Sequence, residues 1–588
     1  MNAYQELNLE QSNSASEEGT SQPPFLKRYR SVLICSAITL LYAVLIFTNL
    51  GNLQSPQTLF RADAGTAVVV DFGKEQHLGM FQYMLGPSEE QRFTLEFSFD
   101  GDYWHEPFEL FIDPAFMWDY LSFDAGAARF ARITAQTDGF YFMEMAFRDS
   151  DMNVVPLTVI SNVGHELFDE QHLVPTQPRD FMHSSMFDEV FYPRAAYEYI
   201  HFLDVNERTH PPLGKVIISW GIELFGMTPF GWRVMTALAG IALIPFMYFF
   251  ALALFKKDFW AGIATVIFAS DFMHFVQSRI ATLDVLVTLF IIAMFYFMYR
   301  YSQSRSLVAL MFSGVFVGLA IATKWSGLYG AVGLALVFLY LYVKRCKEEG
   351  RFDYQTLLWS LGFFIVIPAV IYVLSYIPYY NTGYLYPDYG FLTAVVRSQL
   401  DMADFHIGFA AYHPYVSPWW EWLINWRPVL YFANVLPNGL VQGISTFGNP
   451  LVWWSGLLAL AFTAARAVKK DFIALFLMVG YLSQLLPWVL ASREVQFIYY
   501  YYPNVAFLAL MLAYALKEAD VFSRLEFTLK DRAGICVSRK AFACTFAALC
   551  AGAFALFYPV LSGMPISLDF AQQFLIWPFM NEWILVIS

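Results

Sequence analysis

The sequence has little charge for its length. Only 14% of its 588 residues are charged, whereas 57% are hydrophobic, and the mean hydropathy is +0.45. A chain this apolar cannot hide its side chains in a single water-soluble core. The scarcity of charge therefore excludes a soluble globular protein and predicts a polytopic α-helical membrane protein.

Basic residues and cysteines are also scarce. The formal net charge is −13 and the pI is about 5.3, so no basic stripe remains that could bind a nucleic acid. The cysteines are Cys35, Cys346, Cys536, Cys544 and Cys550, and none falls in the two largest polar regions. Their spacing excludes a disulfide framework and a zinc site.

Apolar runs long enough to cross a bilayer, about 17 to 25 residues, recur along the chain. They predict about eleven transmembrane helices, at 31–50, 232–254, 259–275, 280–299, 306–323, 325–343, 354–378, 451–467, 471–491, 497–516 and 540–560. The first run follows Lys27, Arg28 and Arg30 and lacks a small-residue cleavage site. We therefore expect a retained first span and not a cleaved signal peptide.

Basic residues are unevenly divided between the two sides of these spans. More than half of the 36 Lys and Arg residues fall in loops on one side, which the positive-inside rule assigns to the cytoplasm. The N-terminus is then cytoplasmic and the C-terminus is outside. The predicted organisation is a cytoplasmic tail (1–30), a first helix (31–50), an extracytoplasmic β-sandwich (51–170), a first outer loop (171–231), helices 2–7 (232–378), a large outer loop (379–450), helices 8–11 (451–560) and an outer tail (561–588).

The region after the first span changes to a period-two pattern. Phe93, Leu95, Phe97 and Phe99 alternate with polar residues, and residues 139–147 form a second alternating run. Such alternation is typical of half-buried β-strands. With a turn at Asp100–Gly101, it predicts a small antiparallel β-sandwich over residues 55–165.

Ionisable and turn-forming residues cluster where apolar runs begin or end. Charges at a membrane surface among many spans indicate chemistry more than folding. The blocks are, in order, FDEVFYPRAA from Phe187, HPPLGK from His210, GWR from Gly231, SRIATLD from Ser278, ATKWSG from Ala322, HPYVSPWW from His413 and WRP from Trp426. In this order they resemble the protein O-mannosyltransferase family, over about residues 180–520.

That resemblance implies a GT-C type glycosyltransferase. Such an enzyme moves a sugar, mannose by family default, from a polyprenyl-phosphate donor to a protein Ser or Thr hydroxyl on the outer membrane face. Two features depart from the family pattern. The β-sandwich is additional, and FIYYYYP from Phe497 has tyrosine where bacterial relatives often carry histidine near Tyr500.

The β-region has a second, shorter resemblance. Residues Ser98–Trp104 and Ala128–Ile133 are similar to two strand motifs of discoidin-type sandwiches. Domains of that type often bind carbohydrate or lipid through loops at one end. A binding domain and a purely structural lid are both open interpretations.

Roles can be assigned to the charged residues. A hydroxyl nucleophile needs a carboxylate to take its proton, and we expect Asp188 to be this base. Glu189 points elsewhere on a helix and orients the acceptor or holds the loop. The donor phosphate needs cations, for which Arg233 is the first candidate and Arg493 the second. Further candidates, which could instead anchor helix ends, are Lys215, Arg279 and Lys324.

The remaining candidates shape the site or flank the sugar. We expect His210 to shape the site with Pro211 and Pro212, which fix the exit of the loop into a helix. Weaker candidates for acceptor or sugar contacts are His406, His413, Trp419 and Trp420, although the tryptophans also suit an interfacial belt. We predict no metal site and no cofactor, and a single displacement with inversion at the anomeric carbon.

Other functions remain open at this point. The acceptor could be a lipid or a cell-wall glycan, with the same fold and donor. A transporter would use Arg233, Arg279 and Lys324 to line a path, but the two halves show no internal repeat. A membrane-anchored binding protein would not need eleven spans. The predicted location is integral to the membrane, with membrane lipid as a partner, in the plasma membrane of a bacterium.

Overall fold

The computed structural model describes residues 24–88, 90–112, 115–123, 126–177, 179–408, 412–491, 493–519 and 538–575, with side chains from residue 29 onward. Most of the predicted cytoplasmic tail and the last thirteen residues of the predicted outer tail lie outside these ranges. The description below is confined to the ranges given.

Helices dominate the fold. In chain order they are α1 Pro24–Phe47, α2 Tyr192–Ile200, α3 Leu213–Phe225, α4 Pro229–Phe255, α5 Asp258–Ala269, α6 Phe272–Gln277, α7 Asp284–Ser304, α8 Leu307–Thr323, α9 Gly327–Glu349, α10 Tyr354–Asn381, α11 Phe391–Gly408, α12 Trp419–Leu423, α13 Pro450–Val468, α14 Phe472–Leu490, α15 Tyr502–Glu518, α16 Arg539–Ser562 and α17 Leu568–Phe574. A π-helical turn at Gly362–Val366 interrupts α10.

The long helices confirm a polytopic membrane protein. Within the described ranges, eight helices are long and apolar enough to cross a membrane, namely α1, α4, α7, α9, α10, α13, α14 and α16. Each of the eleven predicted runs coincides with helix, but α5, α8 and α15 have 17 residues or fewer. The total of eleven spans therefore stays a prediction.

One predicted span is broken. The run at 259–275 forms two short helices, α5 and α6, separated at Asp271. The Asp271 carboxylate accepts hydrogen bonds from the backbone N–H groups of Met273 and His274, so it caps the start of α6. A capping aspartate satisfies backbone donors that a new helix leaves unpaired. Hydropathy alone could not show this break.

The centre of the helical layer is α15, which is buried almost all round. A helix that is apolar on every side belongs in a core. Gly480 lets α14 approach it closely, because a Cβ there would lie 2.3 Å from the ring of Phe507. This packing fixes the segment immediately before α15, the 3-10 helix Ile498–Tyr501, which carries tyrosines of the site described below.

The region after α1 is a curled antiparallel β-sheet, in the stretch for which the sequence predicts an antiparallel β-sandwich. Its strands are β1 Phe60–Ala62, β2 Ala67–Leu85, β3 Gln91–Ser98, β4 Phe108–Ile112, β5 Trp118–Ser122, β6 Ala127–Ala135, β7 Phe140–Asp149 and β8 Thr158–Val159. The first half of β2 pairs with β6 and β8, and its second half pairs with β7 and β5. The long strand thereby belongs to two layers.

Aromatic side chains fill the space between these layers. Phe93 on β3 contacts the rings of Phe81 and Phe142, with centroids 6.1 and 5.4 Å apart. Phe93, Leu95 and Phe97 are buried as the alternation predicts, whereas Phe99 lies beyond β3 and is exposed. Three properties of this region stay predictions. They are its likeness to discoidin-type domains, its binding of a ligand, and the side of the membrane on which it lies.

A second, three-stranded sheet was not predicted. Strands β9 Val429–Val435, β10 Leu440–Thr446 and β11 Ile566–Ser567 pair antiparallel, so the large outer loop is joined to the segment after α16. Phe432 on β9 contacts Phe181 at 5.4 Å between ring centroids, and Tyr431 stacks on Phe187 at 4.5 Å. This sheet therefore supports the segment that carries Asp188.

Candidate active site

Asp188 and Glu189 lie on the 3-10 helix Phe187–Val190, which precedes α2. The two neighbours face different surroundings. Glu189 is fully buried, and its carboxylate accepts a hydrogen bond from the N–H of Met186 at 3.1 Å. Asp188 is half-buried and accepts a hydrogen bond from the hydroxyl of Tyr499 at 3.4 Å. The pair therefore combines one enclosed carboxylate with one directed at a tyrosine.

Glu189 forms a two-pronged ion pair with Arg233 at the start of α4. The Arg233 Nε and Nη2 atoms donate to the two carboxylate oxygens at 2.8 and 2.6 Å. The remaining guanidinium donors bind the carbonyl oxygens of Leu50, Phe181 and Ser184. Both side chains are inaccessible to solvent. This geometry differs from the expected phosphate role of Arg233, because its guanidinium is already saturated by protein oxygens.

Arg279, like Arg233, is bound by backbone carbonyl oxygens. Its Nη1 atom donates to the carbonyls of Ile46 and Thr48 at 2.6 and 2.7 Å, and its Nη2 atom donates to that of Asn49 at 2.7 Å. These carbonyls belong to the end of α1, where helices leave acceptors unpaired. Arg279 therefore caps α1, which corrects the expectation that it binds phosphate.

Lys215, His210 and Glu207 form a buried group before and within α3. The Lys215 ammonium contacts the Glu207 carboxylate and donates to the carbonyl of His210 at 2.9 Å. His210 Nδ1 lies 3.0 Å from Glu207 Oε1. Burial acts to raise the pKa of Glu207, but the Lys215 and His210 charges outweigh it and hold that pKa well below its usual range. Lys215 is thus paired internally, and Pro211 and Pro212 lead from this group into α3.

A cavity of about 430 Å³ brings together four of the predicted residues from distant segments. They are His210, Lys324, His406 and Arg493. Trp325, Ser326, Tyr329, Ile407, Gly408, Trp488, Ala491, Glu494 and Tyr500 complete the lining. Two cationic side chains at one cavity suit an anionic group such as a phosphate.

Lys324 has a defined orientation in this cavity. Its ammonium donates to Asp284 Oδ1 at 2.9 Å and lies 5.0 Å from the centroid of the Tyr500 ring. Lys324 follows the end of α8, and Asp284 begins α7. Asp284 stands within the SRIATLD block, but its pairing with Lys324 depends on how two helices pack, so it was not identified from the sequence.

The charges of Lys324, in the cavity, and of its partner Asp284 both influence the pKa of Asp188. Burial raises the pKa of Asp188 to about 7, and the negative charge of Asp284 adds to that shift. The Lys324 charge and the Tyr499 hydroxyl oppose it. A carboxyl group with such a pKa is able to exchange a proton near neutral pH, as a general base must.

Aromatic side chains surround the segment that carries Asp188. Phe187 lies edge-on to His413, with centroids 6.1 Å apart, and Phe497 stacks on Tyr499 at 5.2 Å. His413 also meets Phe497 at 5.0 Å. His413 therefore packs against Phe187, the residue before Asp188, and is not in the lining of the cationic cavity.

Two models of one protein family match this chain. The model described as dolichyl-phosphate-mannose-protein mannosyltransferase matches residues 225–382. The model described as the C-terminal four TMM region of protein-O-mannosyltransferase matches residues 391–470 and 464–583. Together they cover more than half of the sequence. The chain belongs to the protein O-mannosyltransferase family.

Individual relatives of this protein O-mannosyltransferase family member agree. It is 28% identical to the polyprenol-phosphate-mannose–protein mannosyltransferase of Mycobacterium tuberculosis, over 65% of this chain and 84% of the relative. Identity to the enzyme of the same description from Corynebacterium glutamicum is 27%, over 63% of this chain and 80% of the relative. Asp188, Glu189 and the curled sheet lie outside both family models.

The fold agrees as well. The Saccharomyces cerevisiae protein O-mannosyltransferase Pmt1–Pmt2 complex, solved bound to the sugar donor, superimposes with a TM-score of 0.58 at 13% identity. The match covers 66% of this chain and 88% of that chain. At this identity the likeness concerns the fold alone, and it confirms the predicted GT-C architecture of this family member.

The tryptophans of this protein O-mannosyltransferase differ in position. Trp419 and Trp420 begin the short helix α12 and do not line the cationic cavity, and Trp420 is exposed. Trp422 is the buried one, and its indole N–H donates to Ser417. Its ring contacts Trp488 and Tyr500, both of which line the cavity. A five-residue helix places alternate tryptophans on opposite faces, which the sequence did not reveal.

The carboxylates around this site fall into two classes. Glu189, Glu207 and Asp284 each form an ion pair with a buried cation. Among the ion pairs of the described residues, neither the half-buried Asp188 nor the exposed Glu494 takes part in one. In the same ranges, the one grouping of three acidic side chains close enough to share a metal ion is Glu144, Asp169 and Glu170. That grouping belongs to the curled sheet and its exit, and does not include Asp188.

We expect Glu189→Gln to destabilise the protein strongly. The substitution leaves the Arg233 guanidinium buried without a counter-charge, and breaking a buried ion pair from one side costs about 3–5 kcal/mol. Thermal unfolding of the purified protein in detergent at pH 8 measures the effect.

The neighbouring Asp188→Asn is the matched control for this prediction. It removes a charge that burial already disfavours, so we expect its unfolding temperature to stay near that of the wild type or to rise. Equal unfolding temperatures for the two variants would contradict the assigned role of Glu189.

Proposed function

We propose that this protein transfers mannose from a polyprenyl-phosphate donor to a Ser or Thr hydroxyl of a protein acceptor. Family membership and the descriptions of the relatives support this function. The observation that carries it is a carboxylate outside any described ion pair, Asp188, whose pKa is influenced by the charge of Lys324, which lines a cavity together with Arg493.

In the proposed reaction, Asp188 removes the proton of the acceptor hydroxyl as its oxygen attacks the anomeric carbon. The new bond joins that oxygen to the sugar, and the bond from the anomeric carbon to the phosphate oxygen breaks. Its electron pair leaves with the polyprenyl phosphate. Lys324 and Arg493 balance the charge that develops on the phosphate.

We further propose a single displacement with inversion. A double displacement needs a second carboxylate to form a covalent intermediate. Glu189, Glu207 and Asp284 are held by Arg233, Lys215 and Lys324, and Glu494 in the cavity lining is exposed to solvent, so we assign the direct chemistry to Asp188. Asp188 then serves as base and not as nucleophile.

The proposed location is the plasma membrane of a bacterium, with the site on the outer face. The apolar helices make the protein an integral membrane protein, and the basic loops assign the N-terminus to the cytoplasm. A lipid or glycan acceptor would use the same donor cavity. The transporter alternative receives no support from the family matches.

We expect Asp188→Asn to reduce transfer by at least about a hundredfold, which is the typical contribution of a general base. The measurement is release of radiolabelled mannose from polyprenyl-phosphate mannose by purified protein, with membrane extract as acceptor. Mass analysis separates glycopeptide from glycolipid products.

The exposed Asp388→Asn is the control, since it removes an equal charge away from the described site. It is expected to retain wild-type activity. Full activity of Asp188→Asn would overturn the assignment of the base, and a label found only in glycolipid would overturn the protein acceptor.

The pH dependence of kcat/KM should report the ionisation of Asp188. Because the base must be deprotonated and its pKa is about 7, we expect activity to fall about tenfold per pH unit below 7 and to level off above it. Tyr499→Phe removes a hydroxyl that stabilises the charged carboxylate, so the acid limb should move to higher pH.

Tyr412 is exposed to solvent, so Tyr412→Phe is the control for this profile and should leave the acid limb in place. An acid limb near pH 4, the range of an ordinary carboxyl group, would contradict the raised pKa. A shift of the Tyr499→Phe limb to lower pH would contradict the hydrogen bond.

Transfer should persist without divalent cations. Lys324 and Arg493 already supply positive charge at the cavity, which is the part that a metal ion plays in many phosphate sites. We expect protein dialysed against EDTA to keep its activity within about twofold. A loss that magnesium or manganese restores would show that side-chain cations are insufficient.

A further inference from the structure

His406 occupies the junction between the cationic cavity and the loop that carries His210. It lies in the last turn of α11 and is half-buried. Its ring lies 5.5 Å from that of His210 and 5.9 Å from that of Trp325, measured between centroids. All three side chains line the cavity, together with Arg493.

The two ring nitrogens of His406 have different partners. Nε2 lies 2.9 Å from the carbonyl oxygen of Thr209. A carbonyl can only accept, so Nε2 carries a proton and donates it. In the neutral ring, Nδ1 then holds the lone pair. Nδ1 lies 3.3 Å from Nη1 of Arg493, which can only donate.

These assignments require a neutral imidazole. The pKa of His406 is lowered to about 4, chiefly by burial and also by the neighbouring His210, Arg493 and Lys324, whereas the hydrogen bond with Thr209 acts to raise it. At neutral pH the ring is therefore uncharged and in the tautomer that its neighbours demand. His406 therefore bridges two residues, since Nε2 donates to the Thr209 carbonyl and Nδ1 accepts from the Arg493 guanidinium.

Thr209, the partner of His406 Nε2, is itself held in place by Glu207. The hydroxyl of Thr209 contacts the Glu207 carboxylate, and the Thr209 N–H donates to it at 2.9 Å. Glu207 is in turn paired with Lys215. The position of His406 is thus fixed by a buried ion pair that does not itself line the cavity.

We propose that His406 is a positioning residue that aims the Arg493 guanidinium at the phosphate of the lipid donor. This inference rests on the proposed function. An arginine side chain has many rotamers, and a fixed acceptor beside it reduces the conformations that compete with phosphate binding. His406 acts through Arg493 and makes no contact with the reacting atoms.

Two amide substitutions remove the two hydrogen bonds of His406 one at a time. The side-chain amide of asparagine occupies the place of ring Nδ1, and that of glutamine reaches the place of Nε2. His406→Asn therefore keeps an acceptor for Arg493 and loses the bond to Thr209. His406→Gln keeps the bond to Thr209 and loses the acceptor for Arg493.

The measurement is the Kd of purified protein for polyprenyl phosphate, followed by tryptophan fluorescence. We expect His406→Gln to weaken binding about tenfold, in keeping with the loss of a hydrogen bond to a charged group, and His406→Asn to stay within about threefold of the wild type. Thermal unfolding checks that both variants are folded, and the exposed Arg397→Gln is the control for the cation that is lost in Arg493→Gln.

A double-mutant cycle tests the route through Arg493. On an Arg493→Gln background, His406→Gln should add less than about twofold, because coupled residues are not additive. Additive effects, or a His406→Asn variant as weak as His406→Gln, would overturn the proposal. So would a wild-type protein that does not bind polyprenyl phosphate.

The same proteins are assayed for mannose transfer. Wild-type protein that binds polyprenyl phosphate but transfers no mannose would refute the proposed function and leave the binding comparison to decide the role of His406. Wild-type transfer with unchanged binding in both His406 variants would refute the positioning role alone.

Discussion

The buried ion pair between Glu189 and Arg233 is the contact on which the site depends. Arg233 joins the end of the first helix, through Leu50, to the loop carbonyls of Phe181 and Ser184. Glu189 extends the same network to the N–H of Ala281, at 2.9 Å, just before α7. Desolvating two charges is compensated only when hydrogen bonds satisfy both of them, as they do here. Three separate segments are therefore fixed around the short helix that presents Asp188.

The same pairing logic explains why one carboxylate differs from its neighbours. Glu207 is paired with Lys215, and Asp284 is paired with Lys324. Each of these carboxylates therefore holds or orients a neighbouring cation. Asp188 has a tyrosine hydroxyl and an aromatic enclosure instead, and burial raises its pKa to about 7. The enclosure therefore produces the proton affinity that the proposed reaction needs, while Lys324 and Arg493 provide the charge for the leaving phosphate.

Sequence patterns predicted the parts of this molecule that depend on local periodicity. Hydropathy located the long helices, and the alternation at Phe93, Leu95 and Phe97 located the curled sheet. The order of the charged blocks indicated the family. Roles that depend on tertiary contacts were not predictable. An arginine at the end of a span looks the same whether it meets a phosphate, as we expected of Arg233 and Arg279, or the carbonyls of another helix. The β9–β11 sheet also joins segments more than a hundred residues apart, and no local signal records that pairing.

The central claim is that Asp188 alone acts directly on the acceptor, as the base of a single displacement. The most direct measurement is the anomeric configuration of the transferred mannose, determined by NMR on purified glycopeptide and compared with that of the donor. The account predicts opposite configurations in donor and product. The same configuration in both would require a second nucleophile and would contradict it.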